Sequence, residues 1–224
     1  MNPGRTAVVR SNLARLIPSL ILPVMLLSGC DRVLLDERFH NDSLTKWTVS
    51  DDPDTIEGPS SWRVERDGWL HQRSNIWGRR GDFLGRWYGT FLVAGDTNWK
   101  DYTVTLQAEP KDDDGFGVVF RFADSEHFYR LLFIEDGFNG GPLTRLDKRN
   151  GPDYTELWSE KKGFRVGKAM FIQIDVDGGV INATVDGRRL FSLSDDDPYR
   201  RGKIGLFCYA QNDQAFDDVK VTEK

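Results

Sequence analysis

From residue 34 to the carboxy terminus, apolar and polar side chains alternate with a period of two, and turn residues break the alternation roughly every eight to twelve positions. A period of two belongs to a strand with one face buried, whereas a helix needs apolar residues three and four apart. Helical periodicity is almost absent, so the chain is expected to form an all-β, antiparallel sandwich. Residues 101–109, 116–122 and 128–135 read as strands, with Asp112-Asp113-Asp114-Gly115 as the first turn. Residues 144–148 and 154–159 flank a turn over 149–153, and residues 170–176 and 180–185 flank the tight hairpin signal Asp177-Gly178-Gly179. Residues 190–193, 203–210 and 215–221 complete the series, the last pair separated by Gln211-Asn212-Asp213.

Two segments break this rhythm. Residues 50–61 are polar with two prolines and read as a surface loop. Residues 73–89 are long, aromatic and arginine-rich, carrying Trp77, Arg79, Arg80, Asp82, Trp87 and Tyr88. Long irregular loops on compact domains often carry function.

The amino terminus has another character. Arg5, Arg10 and Arg15 precede an apolar run over 16–27 that ends in Leu27-Ser28-Gly29-Cys30. The run is too short for a membrane span, which needs about 20 apolar residues, and fits the apolar core of an export signal. The order resembles the lipobox of bacterial lipoproteins, which implies a signal peptide over residues 1–29, acylation of Cys30 (palmitate included), a short tether over 30–33, and one sandwich domain over 34–224. The expected location is therefore the bacterial cell envelope, lipid-anchored and facing the periplasm or the surface. Asp31 resembles an inner-membrane retention signal, but the choice of membrane stays open.

Removing residues 1–29 of the 224 leaves 195, enough for one large β domain. The net charge of −5 becomes −8 once the three arginines of the signal are gone. Such an acidic surface argues against a nucleic-acid partner. With Cys30 acylated, Cys208 has no partner for a disulfide and reads as a buried thiol in a strand. His40, His71 and His127 lack metal-ligand spacing, no Ser-His-Asp signature is visible, and no organic cofactor is expected.

The opening Leu35-Asp36-Glu37-Arg38-Phe39 with Leu44 and Trp47, the middle stretch 115–122 followed by His127-Phe128-Tyr129, the hairpin over 177–187, and the ending Gly202-Lys203-Ile204-Gly205-Leu206 with Ala215-Phe216-Asp217-Asp218-Val219 together resemble concanavalin A-like lectin and glucanase jelly rolls. The closest likeness is to laminin-G-like and 3-keto-disaccharide hydrolase-like domains. It implies two curved antiparallel sheets whose concave face often meets carbohydrate. It also implies a structural Ca2+ held on the convex side by Asp36 or Glu37 and Asp217 or Asp218. Family 16 glucanases carry a Glu-x-Asp-x-x-Glu strand, because retaining hydrolysis needs two carboxyl groups about 5–5.5 Å apart. This chain has no such strand, and the adjacent Glu135-Asp136 would point to opposite faces.

Candidate ligand-binding residues are therefore aromatic and cationic. Trp77, Arg79, Trp87 and Tyr88 of the long loop offer flat rings and donors to a sugar, unless the tryptophans tuck beneath the sandwich edge. Trp47, Trp62 and Trp69 are expected in the core. Arg121, Tyr129 and Arg130 follow from strand parity: Arg121 should face away from Phe120 and Phe122, and Arg130 away from Tyr129 and Leu131. Either arginine would bind a ligand or close a cross-strand salt bridge, and Arg145, Asp147 and Lys148 would join either network. The expected function is binding of carbohydrate or a cell-envelope ligand without catalysis. The alternatives are a keto-disaccharide hydrolase-like glycosidase or lyase, with acid and base near Asp136, Tyr129 and Arg121, and a protein–protein adhesion module.

Overall fold

The computed structural model describes Met1 and residues 31–40, 44–53, 55–78 and 86–224. Residues 2–29, read above as an export signal, together with Cys30 and Arg79, lie outside the described residues. Residues 31–224 make one compact unit, with seventeen strands among the described residues. Among the described residues there is no helix.

One sheet runs β15 (Arg188–Ser194), β14 (Val180–Val185), β13 (Met170–Asp177), β8 (Tyr102–Pro110), β17 (Gln214–Glu223), β5 (Leu70–Gln72) and β4 (Trp62–Val64), and β1 (Val33–Glu37) also pairs with β17. The other runs β12 (Asp153–Glu160), β11 (Leu143–Asn150), β10 (His127–Ile134), β9 (Gly115–Asp124), β16 (Lys203–Tyr209), β7 (Thr90–Ala94) and β2 (Trp47–Asp51). Every pairing is antiparallel, and the chain crosses between the sheets repeatedly, as a jelly-roll sandwich of the concanavalin A-like class does. The strands expected from the alternation are all present, some of them longer by a residue or more at either end.

The main core fills the space between the sheets. Phe116, Val118 and Phe120 of β9 meet Val104, Leu106 and Ala108 of β8 and Ile172 and Ile174 of β13, all fully buried. Each of these side chains other than Ala108 contributes about 1.5–3 kcal/mol by leaving water. Trp47 and Trp62 belong to this core as expected, whereas Trp69 is only half-buried, being in the turn that leads to β5. Cys208 is buried, as its strand position implied.

A second apolar layer covers the opposite face of the seven-stranded sheet. Phe91, Val119, Phe122, Phe128, Leu132 and Phe207 pack there with Trp87 and Tyr209. Both irregular segments contribute to this cover. Residues 50–61 are more ordered than a surface loop: they include the end of β2, a buried Asp52, and β3 (Thr55–Ile56), which pairs with β6 (Trp77–Gly78) from the second segment. Residues 86–89 then lead across this outer face into β7.

Candidate functional site

The outer face of the seven-stranded sheet carries a buried charge network beneath the covering segment. On β11 every second residue points outward, which aligns Arg145, Asp147 and Arg149, with Arg130 directly across from Asp147 on β10. Arg130 is fully buried and donates to Asp147 Oδ2 at 3.0 Å and to the carbonyls of Trp87 and Arg86 at 2.9 Å each. Its guanidinium also stacks over the Tyr154 and Phe207 rings. Arg145 donates to the other Asp147 oxygen and lies over the Trp87 ring, 5.2 Å from its centroid. Arg149 donates to Asp52 Oδ1 at 2.6 Å, and Asp52 Oδ2 accepts the Gly89 N–H at 3.0 Å. Burial pushes the Asp52 carboxyl up, against the pull of Arg149.

This network fixes the aromatic cover. Trp87 has a φ of 44°, a left-handed conformation costly for a bulky residue. Its indole N–H donates to the Asn139 carbonyl at 3.0 Å, and Asn139 in turn accepts from Tyr209 Oη and donates to Asp114 and Asp136. Tyr88 sits edge-on to Tyr154 and beneath the Arg149 guanidinium. The absence of a side chain at Gly78 matters here, because a Cβ there would meet Tyr88 Cβ at 2.7 Å. What stays accessible at the rim is Arg145, Glu156, Tyr88 and Tyr154, with Phe138 at 90% exposure in the neighbouring turn. Trp77 is also exposed, at 38%.

Of the residues expected to bind ligand, Trp87, Tyr88 and Arg130 therefore gather on this face, with Trp77 next to the Gly78 that touches Tyr88. Arg130 closes a cross-strand salt bridge, and the Trp87 indole is tucked in at 5% exposure. Arg145 and Asp147 join this network. Lys148 does not, because its parity on β11 is opposite.

Arg121 and Tyr129 belong elsewhere, and the parity expected for Arg121 fails. The backbone at Arg121 has φ 50°, and the β9–β16 register slips beside it, so Phe120 faces the main core while Phe122 faces the outer layer. The Arg121 side chain lies at one end of the sandwich, where it donates to the Tyr199 carbonyl and to Asp101. Tyr129 donates to Asp195 at 2.5 Å, and Lys148 pairs with the same carboxylate at 2.9 Å. Burial and the Asp195 bond push the Tyr129 phenol well up, so it keeps its proton. These bonds fasten the connection from β15 to β16 onto the sheet. Asp136 lies past the other end of β10, about 20 Å from Tyr129 at ~3.4 Å per strand residue. Of the three residues considered for a hydrolase or lyase, Asp136 is thus apart from Arg121 and Tyr129, which line one small cleft together.

Of the four carboxylates expected to hold Ca2+, Asp217 keeps a buried oxygen with no hydrogen-bond partner among the described residues, and burial and the neighbouring Asp218 push its carboxyl up. Asp36 pairs with Arg38, Glu37 pairs with Lys46, and Asp218 accepts from Gln107 at 2.7 Å. Among the described residues, the group of three acids that does converge is Asp112, Asp113 and Asp114, within 4.8 Å. Partial burial, then Asp112 and Asp136, push the Asp114 carboxyl up to about 7.

Asp52, Arg149, Tyr154, Asn139 and Phe138 are the residues that sequence reasoning missed. A signal was present: Gly115–Asp124 and His127–Ile134 are apolar on both faces, which marks strands covered on both sides.

No protein-family model matches this chain, and no curated protein matches it. Solved structures do. A carbohydrate binding module, CBM66, from Bacillus subtilis is 17% identical with a TM-score of 0.61 over 80% of this chain and 96% of that one. A Bacillus subtilis protein of unknown function with a galectin-like fold is 13% identical with a TM-score of 0.63 over 85% and 96%. A putative glycosyl hydrolase from Parabacteroides distasonis is 13% identical with a TM-score of 0.53 over 83% and 92%. At these identities the likeness is one of fold.

Proposed function

We propose that this chain is a lipoprotein of the bacterial cell envelope, anchored through acylated Cys30, whose sandwich binds carbohydrate on the outer face of the seven-stranded sheet without catalysing a reaction. The observation that carries the binding reading is the placement of the half-buried Tyr88 and Tyr154 beside Arg145 and Glu156, over a buried Trp87 and next to the exposed Phe138, on a sheet face turned away from the main core. Sugar rings present C–H faces that stack on aromatic rings, and their hydroxyls need charged or amide partners at fixed positions. Arg130, Asp147, Arg149 and Asp52 lock those partners from below, so little side-chain freedom is lost on binding. The fold shared with the carbohydrate binding module of Bacillus subtilis supports the same reading. The anchor rests on the residue order that ends at Cys30.

Residues 31–224 applied to a glycan array, with and without calcium, are expected to retain at least one glycan. Phe138→Ala is expected to weaken that binding about tenfold, a change of 1.4 kcal/mol, with no loss of stability because the ring is exposed. Silence across the array would remove the lectin reading. The anchor is tested separately by incorporation of labelled palmitate in a bacterial host, which Cys30→Ser is expected to abolish.

A further inference from the structure

Alternate residues of β11 face two different places. Arg145 faces the outer site, whereas Thr144 lines a cleft of about 580 Å³ between the sheets, at the edge where β10 and β11 lie opposite β13, β14 and β15. The connection from β12 to β13 forms one wall. The floor is apolar: Phe133 and Met170 are buried core residues and Phe164 packs against them. The rim is cationic. Lys161, Lys162, Arg165 and Lys168 are exposed, and among the described residues none has a carboxylate within salt-bridge distance.

The acids at this cleft are already engaged. Glu135 accepts the Phe164 N–H at 2.9 Å, Asp186 accepts the Phe171 N–H at 2.8 Å, and Glu160 is paired with Arg188. Four cations without a salt-bridge partner thus outnumber the two carboxylates that line the cleft, Glu135 and Asp186, over an apolar floor in a chain whose net charge is −5. Like charges crowded at one rim repel one another, and an anion placed among them relieves that repulsion. The volume falls in the range of small-molecule pockets, roughly 300–1,000 Å³, which are mostly apolar with a few converging polar groups.

We propose that this cleft binds a small amphipathic anion, with its apolar body on Phe133, Phe164 and Met170 and a carboxylate or phosphate head held by Lys161, Lys162, Arg165 and Lys168. The site is separate from the outer face and does not depend on the carbohydrate reading. A neutral sugar would leave the cations unanswered, and an inorganic anion would leave the apolar floor wet.

The test is calorimetry and methyl NMR on residues 31–224 with four probes: decanoate, decyl phosphate, decanol and inorganic phosphate. Decanoate or decyl phosphate is expected to shift the Met170 methyl resonance and to bind about tenfold or more tightly than decanol or inorganic phosphate. Comparison of the first two probes identifies the preferred head. Lys161→Glu combined with Lys168→Glu is expected to weaken the better probe by about tenfold while Tm stays unchanged, since both side chains are exposed. Equal affinity for decanol, full affinity for phosphate alone, an unmoved Met170 methyl, or unaltered binding by the charge-reversed variant would each overturn the proposal.

Discussion

Replacing Asp147 by Asn removes one negative charge from the centre of the outer layer while keeping the side chain's shape. Asp147 is fully buried and serves two guanidinium groups, Arg130 and Arg145. Arg145 can turn toward Glu156, 3.5 Å away at the rim. Arg130 has no such escape, because it is fully buried, its Nη1 and Nη2 already meet the carbonyls of residues 87 and 86, and its Nε has no partner among the described residues. Removing one partner of a buried pair costs about 3–5 kcal/mol, since the remaining charge is left without compensation. The two carbonyls and the Tyr154 and Phe207 rings still answer part of the Arg130 charge, so the lower end, about 3 kcal/mol, is expected. For a domain of this size that corresponds to a Tm lower by about 6–12 °C. Thermal and urea unfolding of residues 31–224 at neutral pH measure it. A loss below about 1 kcal/mol, the value of an exposed pair, would refute the reasoning. The converse variant, Arg130→Met with Asp147→Leu, is expected to recover only part of the loss: the buried ion pair is gone, but the carbonyls of residues 86 and 87 lose their donor.

Three further outcomes follow from particular contacts. The Asp114 carboxyl is raised in the folded chain to about 7 from an unfolded value near 3.8, so the folded state holds the extra proton between those values and stability should fall as pH rises from about 4 to 7. Asp114→Asn should flatten that slope in a series of melting curves, leaving the variant the more stable form at pH 8; parallel curves would contradict the assignment. Gly89→Ala would place a Cβ 2.0 Å from the Cys208 carbonyl oxygen, so the segment entering β7 must shift, and a loss of about 1–3 kcal/mol or more is expected in urea unfolding. The Cys208 thiol is buried and its pKa pushed up by burial, so in residues 31–224 it should resist a disulfide reagent until the chain unfolds; prompt native reaction would show that β16 opens locally.

The period of two and the turn residues were enough to define the local structure, because alternation and turn chemistry act within a few residues of the chain. The hairpin at Asp177-Gly178-Gly179, the meander from β9 to β12 and the buried thiol were all legible in that way. The cross-strand pairing of Arg130 followed from parity on β10, where no residue is inserted.

Parity failed at Arg121, where a φ of 50° turns one residue out of the alternation. The cost of that conformation is offset by partners remote in sequence: the Tyr102 hydroxyl on the Arg121 N–H, the Tyr199 carbonyl and Asp101. The candidate site was hidden for the same reason. Arg149 and Asp52, a bonded pair, are 97 positions apart, and Trp87 meets Asn139 across 52. The sequence by itself determined the strands and which residues alternate along them. Tertiary structure decided which sheet face is covered, where a bulge reverses the alternation, and which charges are buried in pairs, because each of those depends on contacts whose energy exists only once distant segments have met.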